Sequence, residues 1–280
     1  MAPATLVTGH PAGFSGFQIM SQTPLPPSQP TAGRHTRLER AEGDLQHCLL
    51  CDRSRGGLCN GVDRDGLEAL AHSSRRLVLP PGSTMVEEGQ TAEAFFNITR
   101  GTVKLFKSLP DGRRQITGFA DPGQFLGLSR SGLYAFGAET VDTVHACRFQ
   151  RPQFEALLND QPDLKRNLLA AVTDKLAEAQ EQMLLLGRKT AREKVASFLL
   201  GRAQAEQTMR GDTPPDPMPV ASVPMTRVDI ADYLGLTIET VSRTISALRR
   251  EKLIASTENH GIRLLSPDAL RQIATGQGAG

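Results

Sequence analysis

The chain has 280 residues, a formal net charge of +2 and 39% hydrophobic residues, and it contains four cysteines. This length makes two domains more common than one, and the small charge excludes a strongly basic protein that coats nucleic acid without specificity. No apolar run reaches the roughly 18 residues of a membrane span, and no secretory leader is evident, so we expect a cytoplasmic protein without a membrane partner. Four cysteines are too few for a disulfide scaffold, whereas clustered cysteines in a non-secreted protein indicate metal binding or redox chemistry.

The N-terminal part of the chain divides into a low-complexity tail and a cysteine-rich segment. Residues 1–33 are rich in Pro, Ser, Gly, Thr and Ala, so we expect a disordered tail with few apolar groups to bury. Residues 34–62 form the cysteine-rich segment, and the fourth cysteine, Cys147, lies far downstream. Two residues separate the first and second cysteines of the segment and seven separate the second and third, which are Cys48, Cys51 and Cys59.

Residues 63–160 are predicted to form a β-barrel domain that begins with a short helix at 63–72. Between residues 75 and 149, short apolar or alternating runs recur between turn signals such as Pro-Pro-Gly and Pro-Asp-Gly. Short strands at nearly regular spacing with these turn signals are typical of an antiparallel barrel or jelly roll.

Residues 161–188 carry a helical period. Their apolar residues are spaced alternately three and four apart without a charge among them, which is the pattern of a coiled-coil face. A helix packed on its own domain would show a similar period, but the regular, uncharged face and the DNA-reading pattern downstream favour a parallel dimerisation helix. We call this face the apolar seam, and it consists of Leu169, Val172, Leu176, Ala179, Met183 and Leu186.

Residues 189–280 are predicted to form a winged helix-turn-helix domain. A capping-box sequence at 190–193 starts one helix, and Thr226 has the position of the cap of the next helix. Gly235 lies where the turn between two helices needs a positive φ, and Thr237 can cap the second helix of the pair. The positions expected to be buried on these two helices are Val228, Ile230, Ala231, Leu234, Ile238, Val241, Ile245 and Leu248.

The second helix of this pair presents polar residues on its other side. Recognition helices contact bases near their N-terminus, where an Arg can pair with guanine and a Glu can accept from cytosine. Basic residues further along suit phosphate contacts, and a hairpin around residues 258–261 is predicted to be the wing. An ordinary helical hairpin with solvated charges is the alternative, and the turn glycine, the caps and the wing together disfavour it. The candidates are Glu239, Ser242 and Arg243 for bases and Arg249, Arg250 and Lys252 for phosphates.

Over about residues 45–275 these patterns resemble the cyclic-AMP receptor protein/FNR family of bacterial regulators. The segment at 236–243, Leu-Thr-Ile-Glu-Thr-Val-Ser-Arg, resembles the recognition helix of the FNR branch, whose Glu, Ser and Arg read a TTGAT–N4–ATCAA palindrome. The resemblance implies an α+β fold with an N-terminal antiparallel β-barrel or jelly-roll sensor domain, a long dimerisation helix and a C-terminal winged helix-turn-helix domain. It also implies a homodimer that binds double-stranded DNA and contacts RNA polymerase. The hairpin at 109–116 is a candidate for that last contact, and a plain solvated turn is the equal alternative.

The resemblance also bears on the sensor. Family members that bind cyclic nucleotides carry Gly-Glu-Leu followed by Arg-Ser/Thr-Ala, whereas the stretch at 123–135 lacks the acid and the Arg-Ser/Thr pair, so we expect no cyclic nucleotide. Oxygen-sensing FNR members ligate a [4Fe–4S] cluster with three N-terminal cysteines and one in the barrel. The longer spacing between the second and third cysteines here resembles FNR-like proteins of photosynthetic and nitrogen-fixing proteobacteria rather than the enteric pattern. The resemblance thus implies a [4Fe–4S] cluster at Cys48, Cys51, Cys59 and Cys147.

Other uses of the four thiols stay open, because zinc takes the same soft donors and thiol oxidation would form a disulfide. An enzyme would need catalytic acids or a nucleophile beyond these ligands, and the sequence has no such constellation, so we expect a regulator and not an enzyme. The resemblance implies that the intact cluster ties the N-terminal segment to the barrel and stabilises the DNA-bound dimer, and that oxygen reverses this. Because the seam position Ala179 is uncharged, we expect a dimer that is comparatively hard to dissociate.

Overall fold

The computed structural model of the chain describes residues 48, 57–210, 216–258 and 261–277, together with the backbone of 37–38. Its architecture is α+β, as the sequence predicts, with two larger antiparallel sheets followed by long helices and a winged helix-turn-helix domain. The predictions about residues 1–33, about Cys51 and about most of the cysteine-rich segment lie outside the described residues. None of the helices in the described ranges combines the length and the hydropathy of a membrane-spanning helix.

The described strands pair with antiparallel neighbours in three sheets. In chain order they are β1 (Arg37–Leu38), β2 (Ser74–Leu79), β3 (Thr84–Val86), β4 (Ala94–Arg100), β5 (Val103–Ser108), β6 (Arg114–Ala120), β7 (Phe125–Leu126), β8 (Gly137–Thr140), β9 (Val144–Gln150), β10 (Val220–Ser222), β11 (Ile254–Ser256) and β12 (Gly261–Leu264). The first sheet has the order β1-β2-β9-β4-β7, and the second has the order β3-β8-β5-β6. The small third sheet, with the order β10-β12-β11, belongs to the C-terminal domain.

The two larger sheets have one apolar core in common, and the first sheet carries another on its outside. Along β4, Phe96 and Ile98 belong to the shared core, whereas Phe95 points outward, because successive side chains of a strand alternate between faces. Both faces of β4 are therefore buried, which explains its continuous apolar sequence. We call the outward-facing group the outer cluster, and its buried members are Leu58, Val62, Leu67, Leu70, Phe95, Phe125, Phe149, Phe154, Leu157 and Leu164.

Local sequence signals explain where several helices begin. In chain order the helices are α1 (Arg64–Ser73), α2 (Arg151–Asp160), α3 (Pro162–Arg188), α4 (Ala191–Arg210), α5 (Arg227–Leu234), α6 (Ile238–Arg250) and α7 (Pro267–Ala274). The side chain of Asp63 accepts a hydrogen bond from the Gly66 N–H at 2.8 Å and caps α1. Before α4, the Thr190 N–H donates to Glu193 Oε2 at 2.9 Å and the Glu193 N–H donates to Thr190 Oγ1 at 3.4 Å, which confirms the predicted capping box.

The C-terminal domain contains two elements that the sequence analysis did not predict. The hairpin of β11 and β12 lies at the predicted wing, but β10 adds a third strand beside β12, and α7 closes the domain. With three residues, β10 is too short to show a period. Helix α7 buries Leu270 and Ile273 in the domain core, and its eight residues are at the lower limit for a periodic signal.

Two residues that were assigned to buried helix sides are exposed. Val228 is 48% exposed and Ile238 is 42% exposed, so these two predictions were wrong. Each lies in the first turn of its helix, where the helix extends past the core and the buried stripe ends. The remaining predicted positions are buried, namely Ile230, Ala231, Leu234, Val241, Ile245 and Leu248.

The second sheet packs directly on the C-terminal domain. The ring of Phe119 on β6 lies 5.2 Å from that of Tyr233 and 6.4 Å from that of Phe198, measured between centroids. Nearby, the Arg202 guanidinium donates to both carboxylate oxygens of Asp121, at 2.6 and 3.1 Å, with both side chains nearly buried. A buried bidentate pair of this kind holds two domains in one orientation, because removing either partner would leave an uncompensated charge.

Candidate functional site

Cys59 and Cys147 border the same apolar group although they are far apart in the sequence. Both are half-buried and pack against the outer cluster, Cys147 from β9 and Cys59 from the turn before α1. Helix α3 contributes Leu164 to the cluster, and Leu168 packs against it. Cys48 is also half-buried. The fold therefore brings two of the four predicted ligands to one group of residues beside the predicted dimerisation helix.

Cys147 belongs to a row of cross-strand neighbours on the first sheet. It is in register with Arg76 on β2 and with Asn97 on β4, and Asn97 is in register with Phe125 on β7. Directly opposed residues point to the same face, with Cβ atoms about 4.5–5.5 Å apart. Cys147 thus has a basic residue as register partner on one side and an amide on the other.

The end of the cysteine-rich segment is held on two sides. Gly57 has φ +85°, and a Cβ at this position would lie 2.0 Å from the carbonyl oxygen of Gly123, so only glycine fits. From α3, Asn167 Nδ2 donates to the carbonyl oxygens of Leu58 at 3.0 Å and of Asn60 at 2.6 Å. The residues on both sides of Cys59 are therefore hydrogen-bonded to the helix that carries the apolar seam.

The donors at this site suit a soft metal centre. Among the described residues, no group of three or more His, Cys, Asp or Glu side chains is arranged to hold a metal ion, and Cys51 lies outside them. The thiols of Cys59 and Cys147 beside an apolar wall fit the ligand chemistry of an iron–sulfur cluster. Asn97 adds a feature that is unusual in native proteins: its Oδ1 is buried and has no hydrogen-bond partner within the described part of the chain.

All residues of the apolar seam are exposed on the single chain. Leu169 is 68% exposed and Met183 is 65% exposed, whereas Gln182 and Leu185 on another side of α3 are buried. Although Leu186 at its end lies close to Gly235, the seam is mostly exposed, which disfavours a face packed on its own domain. A contiguous apolar stripe of this length is unfavourable in water and is typical of an interface.

Helices α5 and α6 form the predicted helix-turn-helix. Thr226 caps α5 in a reciprocal arrangement, since the Asp229 N–H donates to Thr226 Oγ1 at 3.1 Å and the Thr226 N–H donates to Asp229 Oδ2 at 3.0 Å. Gly235 ends α5 with φ +59°, and Thr237 Oγ1 accepts from the Thr240 N–H at 3.2 Å to start α6. The turn glycine and both predicted caps are confirmed.

The predicted base-reading residues lie together in the first half of α6. Glu239 and Arg243 are exposed and Ser242 is half-buried, while the opposite side of the helix faces the core. A hydrogen bond from its own backbone N–H and one from the Thr237 hydroxyl lower the pKa of Glu239, and Arg243 adds a smaller attraction. Glu239 is therefore a carboxylate at neutral pH and an acceptor that suits a cytosine amino group.

The basic residues at the end of α6 lie beside the wing. Arg249 Nη2 donates to Ser256 Oγ at 2.9 Å, Arg250 ends the helix, and Lys252 follows with φ +57°, a conformation that few lysines adopt. The sequence analysis missed Arg227, whose pKa is lowered by burial and by the neighbouring Arg249 guanidinium. Two cations held close together favour an anion such as a phosphate. The sequence did offer a signal, because a cation at the start of a helix is unfavourable beside the positive end of the helix dipole unless it has another role.

The capping carboxylate of α5 is also tied to the β domain. Lys104 Nζ on β5 bonds to Asp229 Oδ1 at 2.9 Å and to Glu139 Oε1 at 2.8 Å. Burial opposes charge on Asp229, but hydrogen bonds from Thr226 and Lys104 outweigh it and lower the pKa of this carboxyl. Burial likewise opposes charge on Lys104, and hydrogen bonds to Glu139 and Asp229 raise its pKa. Sequence reasoning missed this contact because its partners are far apart in the chain.

Two family models match the chain. Residues 76–161 match a cyclic nucleotide-binding domain, and residues 193–273 match a Crp-like helix-turn-helix domain. The nitrogen fixation regulation protein FixK of Bradyrhizobium diazoefficiens is 40% identical over 227 residues, which cover 81% of this chain and 93% of that protein. The transcriptional activator FnrL of Cereibacter sphaeroides is 35% identical over 75% of this chain and 85% of its own length. The transcriptional activator FnrA of Stutzerimonas stutzeri is 31% identical over 82% of this chain and 93% of its own length.

The fold agrees with solved structures of similar proteins. The structure of FixK2 from Bradyrhizobium japonicum aligns with a TM-score of 0.63 and 32% identity, covering 71% of this chain and 96% of that one. The similar proteins are transcription factors, which agrees with the expectation that the chain is not an enzyme. The chain belongs to the CRP/FNR family of DNA-binding transcriptional regulators.

Proposed function

We propose that the chain is an oxygen-responsive regulator that acts in the cytoplasm as a homodimer and binds palindromes related to TTGAT–N4–ATCAA when oxygen is absent. A [4Fe–4S] cluster held by Cys48, Cys51, Cys59 and Cys147 would supply the oxygen-reactive group. The FNR-type resemblance of the cysteines and of the recognition helix supports this proposal, and two of the similar proteins are transcriptional activators named FnrL and FnrA.

The observation that carries the proposal is that the outer cluster and Asn167 link two of the cysteines to α3. Cys59 and Cys147 pack on the outer cluster together with Leu168, and Asn167 bonds to the backbone beside Cys59. A common ligand of the four thiolates would keep residues 57–60 on this surface. It would thereby hold α3 in the orientation that presents the apolar seam.

Release of the thiolates in air would reverse these effects. Residues 57–60 would then lose the hold of the cluster and keep their other contacts, including that with Asn167, so α3 would be held less firmly and pairing along the seam would weaken. A dimer that reads two half-sites loses most of its specific binding energy when one subunit leaves. A modest loss of dimer stability therefore produces a large change in promoter occupancy.

In the bound dimer, two α6 helices would enter successive major grooves. Glu239, Ser242 and Arg243 would read bases, because they lie on the outer side of the first half of α6. Arg227 would join the predicted phosphate contacts from the start of α5. We also propose that the exposed tip of the β5–β6 hairpin, around Leu109, contacts RNA polymerase at the promoters that the protein activates or represses. The phosphate contacts predicted from the sequence are Arg249, Arg250 and Lys252.

We propose that no cyclic nucleotide is bound, although one domain matches the cyclic nucleotide-binding model. A cleft of about 710 Å³ between the β domain, α3 and α4 is lined by Asp174, Lys175 and Glu178. Lys175 Nζ already bonds to Gln124 Oε1 at 3.0 Å and to Glu178 Oε2 at 2.6 Å, so its charge is compensated within the chain. Together with the missing Arg-Ser/Thr pair, this leaves no uncompensated cation among the described residues that line the cleft.

The proposal is tested by anaerobic purification followed by iron and sulfide analysis and an absorption spectrum, before and after exposure to air. We expect about four irons and four sulfides per chain, visible absorbance that bleaches in air, and a parallel loss of binding to TTGAT–N4–ATCAA DNA. Zinc alone, or a colourless dimer that binds this DNA equally in air, would overturn the oxygen sensor. That result would favour the alternative, a regulator of the same fold that senses through thiol oxidation or zinc.

A further inference from the structure

Asn97 is a buried amide beside apolar side chains of the outer cluster. The residue is 6% exposed, and its Oδ1 has no hydrogen-bond partner among the described residues. Its register partners are Cys147 on one side and Phe125 on the other, and Phe95 lies on the same face of β4. Buried polar side chains normally find a partner, so an amide at this position calls for a functional explanation.

The neighbours of Asn97 limit what that explanation can be. Phe125 and Phe95 belong to the outer cluster and offer no hydrogen bond to an amide. The polar register partner of Asn97 is Cys147, whose sulfur becomes a good acceptor once it is a thiolate. The oxygen and nitrogen of an amide exchange places by half a turn about the last side-chain bond, so this position can equally present an N–H donor.

We propose that Asn97 is a positioning residue for the Cys147 ligand. Its amide N–H donates to the thiolate sulfur, or to a sulfide beside it, when the site is loaded. This inference rests on the cluster proposed above. Hydrogen bonds to the sulfurs stabilise the more negative state of a cluster and raise its reduction potential. Asn97 therefore protects the site against oxidation and sets how fast the protein responds to air.

The test compares full-length Asn97→Leu with the wild-type protein after anaerobic purification. Leu has a similar volume but no donor, and visible absorbance should disappear in air about 10-fold faster, the factor expected for one lost charge-assisted hydrogen bond. The midpoint potential should become more negative. The thermal midpoint of the cluster-free protein should stay the same or rise, because an unpaired buried polar group has been removed. A merely structural role predicts the opposite pattern, a less stable fold with an unchanged potential.

Two further variants distinguish the loss of the Asn97 hydrogen-bond donor from a change in side-chain shape. Thr99→Val removes a hydroxyl from the same strand, one that donates to the His145 carbonyl oxygen, and should leave the bleaching rate and the potential unchanged. Asn97→Thr keeps a hydroxyl donor on the same face and should bleach more slowly than Asn97→Leu.

The outcomes distinguish this inference from the proposed function. If Asn97→Leu matches the wild type in rate and potential, or if Asn97→Thr matches Asn97→Leu, the role of Asn97 is overturned while the cluster stands. A wild-type protein without iron and sulfide overturns both.

Discussion

Gly57 and Gly61 illustrate how single residues place the cysteine-rich segment. Both adopt a positive φ, +85° for Gly57 and +66° for Gly61, which side-chain-bearing residues rarely do. A Cβ on Gly57 would collide with the backbone of Gly123, whereas a Cβ on Gly61 would meet nothing within 4 Å. Both glycines therefore need a left-handed backbone conformation. Only Gly57 must also lack a side chain, because its backbone lies against Gly123 and so brings Cys59 to the first sheet.

We predict that Gly57→Ala lowers the iron retained per chain by half or more, because the added Cβ must push the segment away from residue 123. Gly61→Ala carries the same cost of a left-handed alanine, on the order of 1 kcal/mol, without the collision. Its iron content should stay near that of the wild type. Iron analysis after anaerobic purification measures the difference, and equal iron contents in the two variants would contradict the prediction.

At the scale of elements, α3 has one face for its own chain and another for the proposed dimer. Leu185 is buried, and Gln182 Nε2 donates to the Tyr233 carbonyl oxygen at 2.7 Å, which fixes the helix on the C-terminal domain. The apolar seam lies on another face and is exposed. Because one helix contacts the cysteine site, the DNA-binding domain and the proposed dimer interface, a change at any of these can reach the others.

We predict that Ala179→Asp makes the protein more monomeric in air. Two symmetry-related carboxylates in the seam would repel each other, and at about 6 Å this weakens association by roughly 10- to 100-fold. Ala177→Asp provides the control, since it adds the same charge to an exposed position of the same helix outside the seam. Sedimentation of both variants gives their dimer fractions. Equal dimer fractions for the two variants would show that Ala179 does not face the same residue of the second subunit.

At the scale of the whole molecule, ionic contacts join the β domain to the DNA-binding domain at two places. Arg202 holds Asp121, and Lys104 holds the capping carboxylate of Asp229. The pKa of Asp229 is lowered, so its contribution to stability is complete above the ordinary value of 3.8 and is lost as pH falls through the folded value. The pKa of Lys104 is raised, so its contribution is complete below the ordinary value of 10.5 and is lost as pH rises through the folded value.

We predict that Lys104→Met lowers the free energy of unfolding at pH 7 by about 1–3 kcal/mol, the range for a hydrogen bond between charged groups. The difference from the wild type should shrink as Asp229 becomes protonated in acid. Lys107→Met is a matched control on the same strand, since Lys107 pairs with Glu88 at the surface and should contribute less than about 1 kcal/mol. Denaturant unfolding between pH 7 and acid measures both, and a difference for Lys104→Met that does not change with pH would contradict the prediction.

The features that could be predicted from the sequence are those specified by neighbouring residues. The cap at Thr226, the turn at Gly235 and the capping box before α4 depend on hydrogen bonds or dihedral angles within a few residues, and the structure confirms them. The seam follows from the period of a single helix, and its exposure on one chain agrees with the predicted interface. Strand β10 was missed because its three residues carry too little local signal.

The remaining features were decided by tertiary structure, because they depend on register and packing between distant segments. Which residue stands opposite Cys147 follows from the alignment of β4 with β9, and a shift of one residue would place Asn97 elsewhere. The contact between Lys104 and Asp229 requires two domains to meet, and the exposure of Val228 depends on where α5 leaves the core. By itself the sequence determined the kind of elements, their faces and the chemistry of their side chains. Only the folded chain decided which of those side chains became neighbours, since contacts across strands and domains are not encoded in any short stretch of residues.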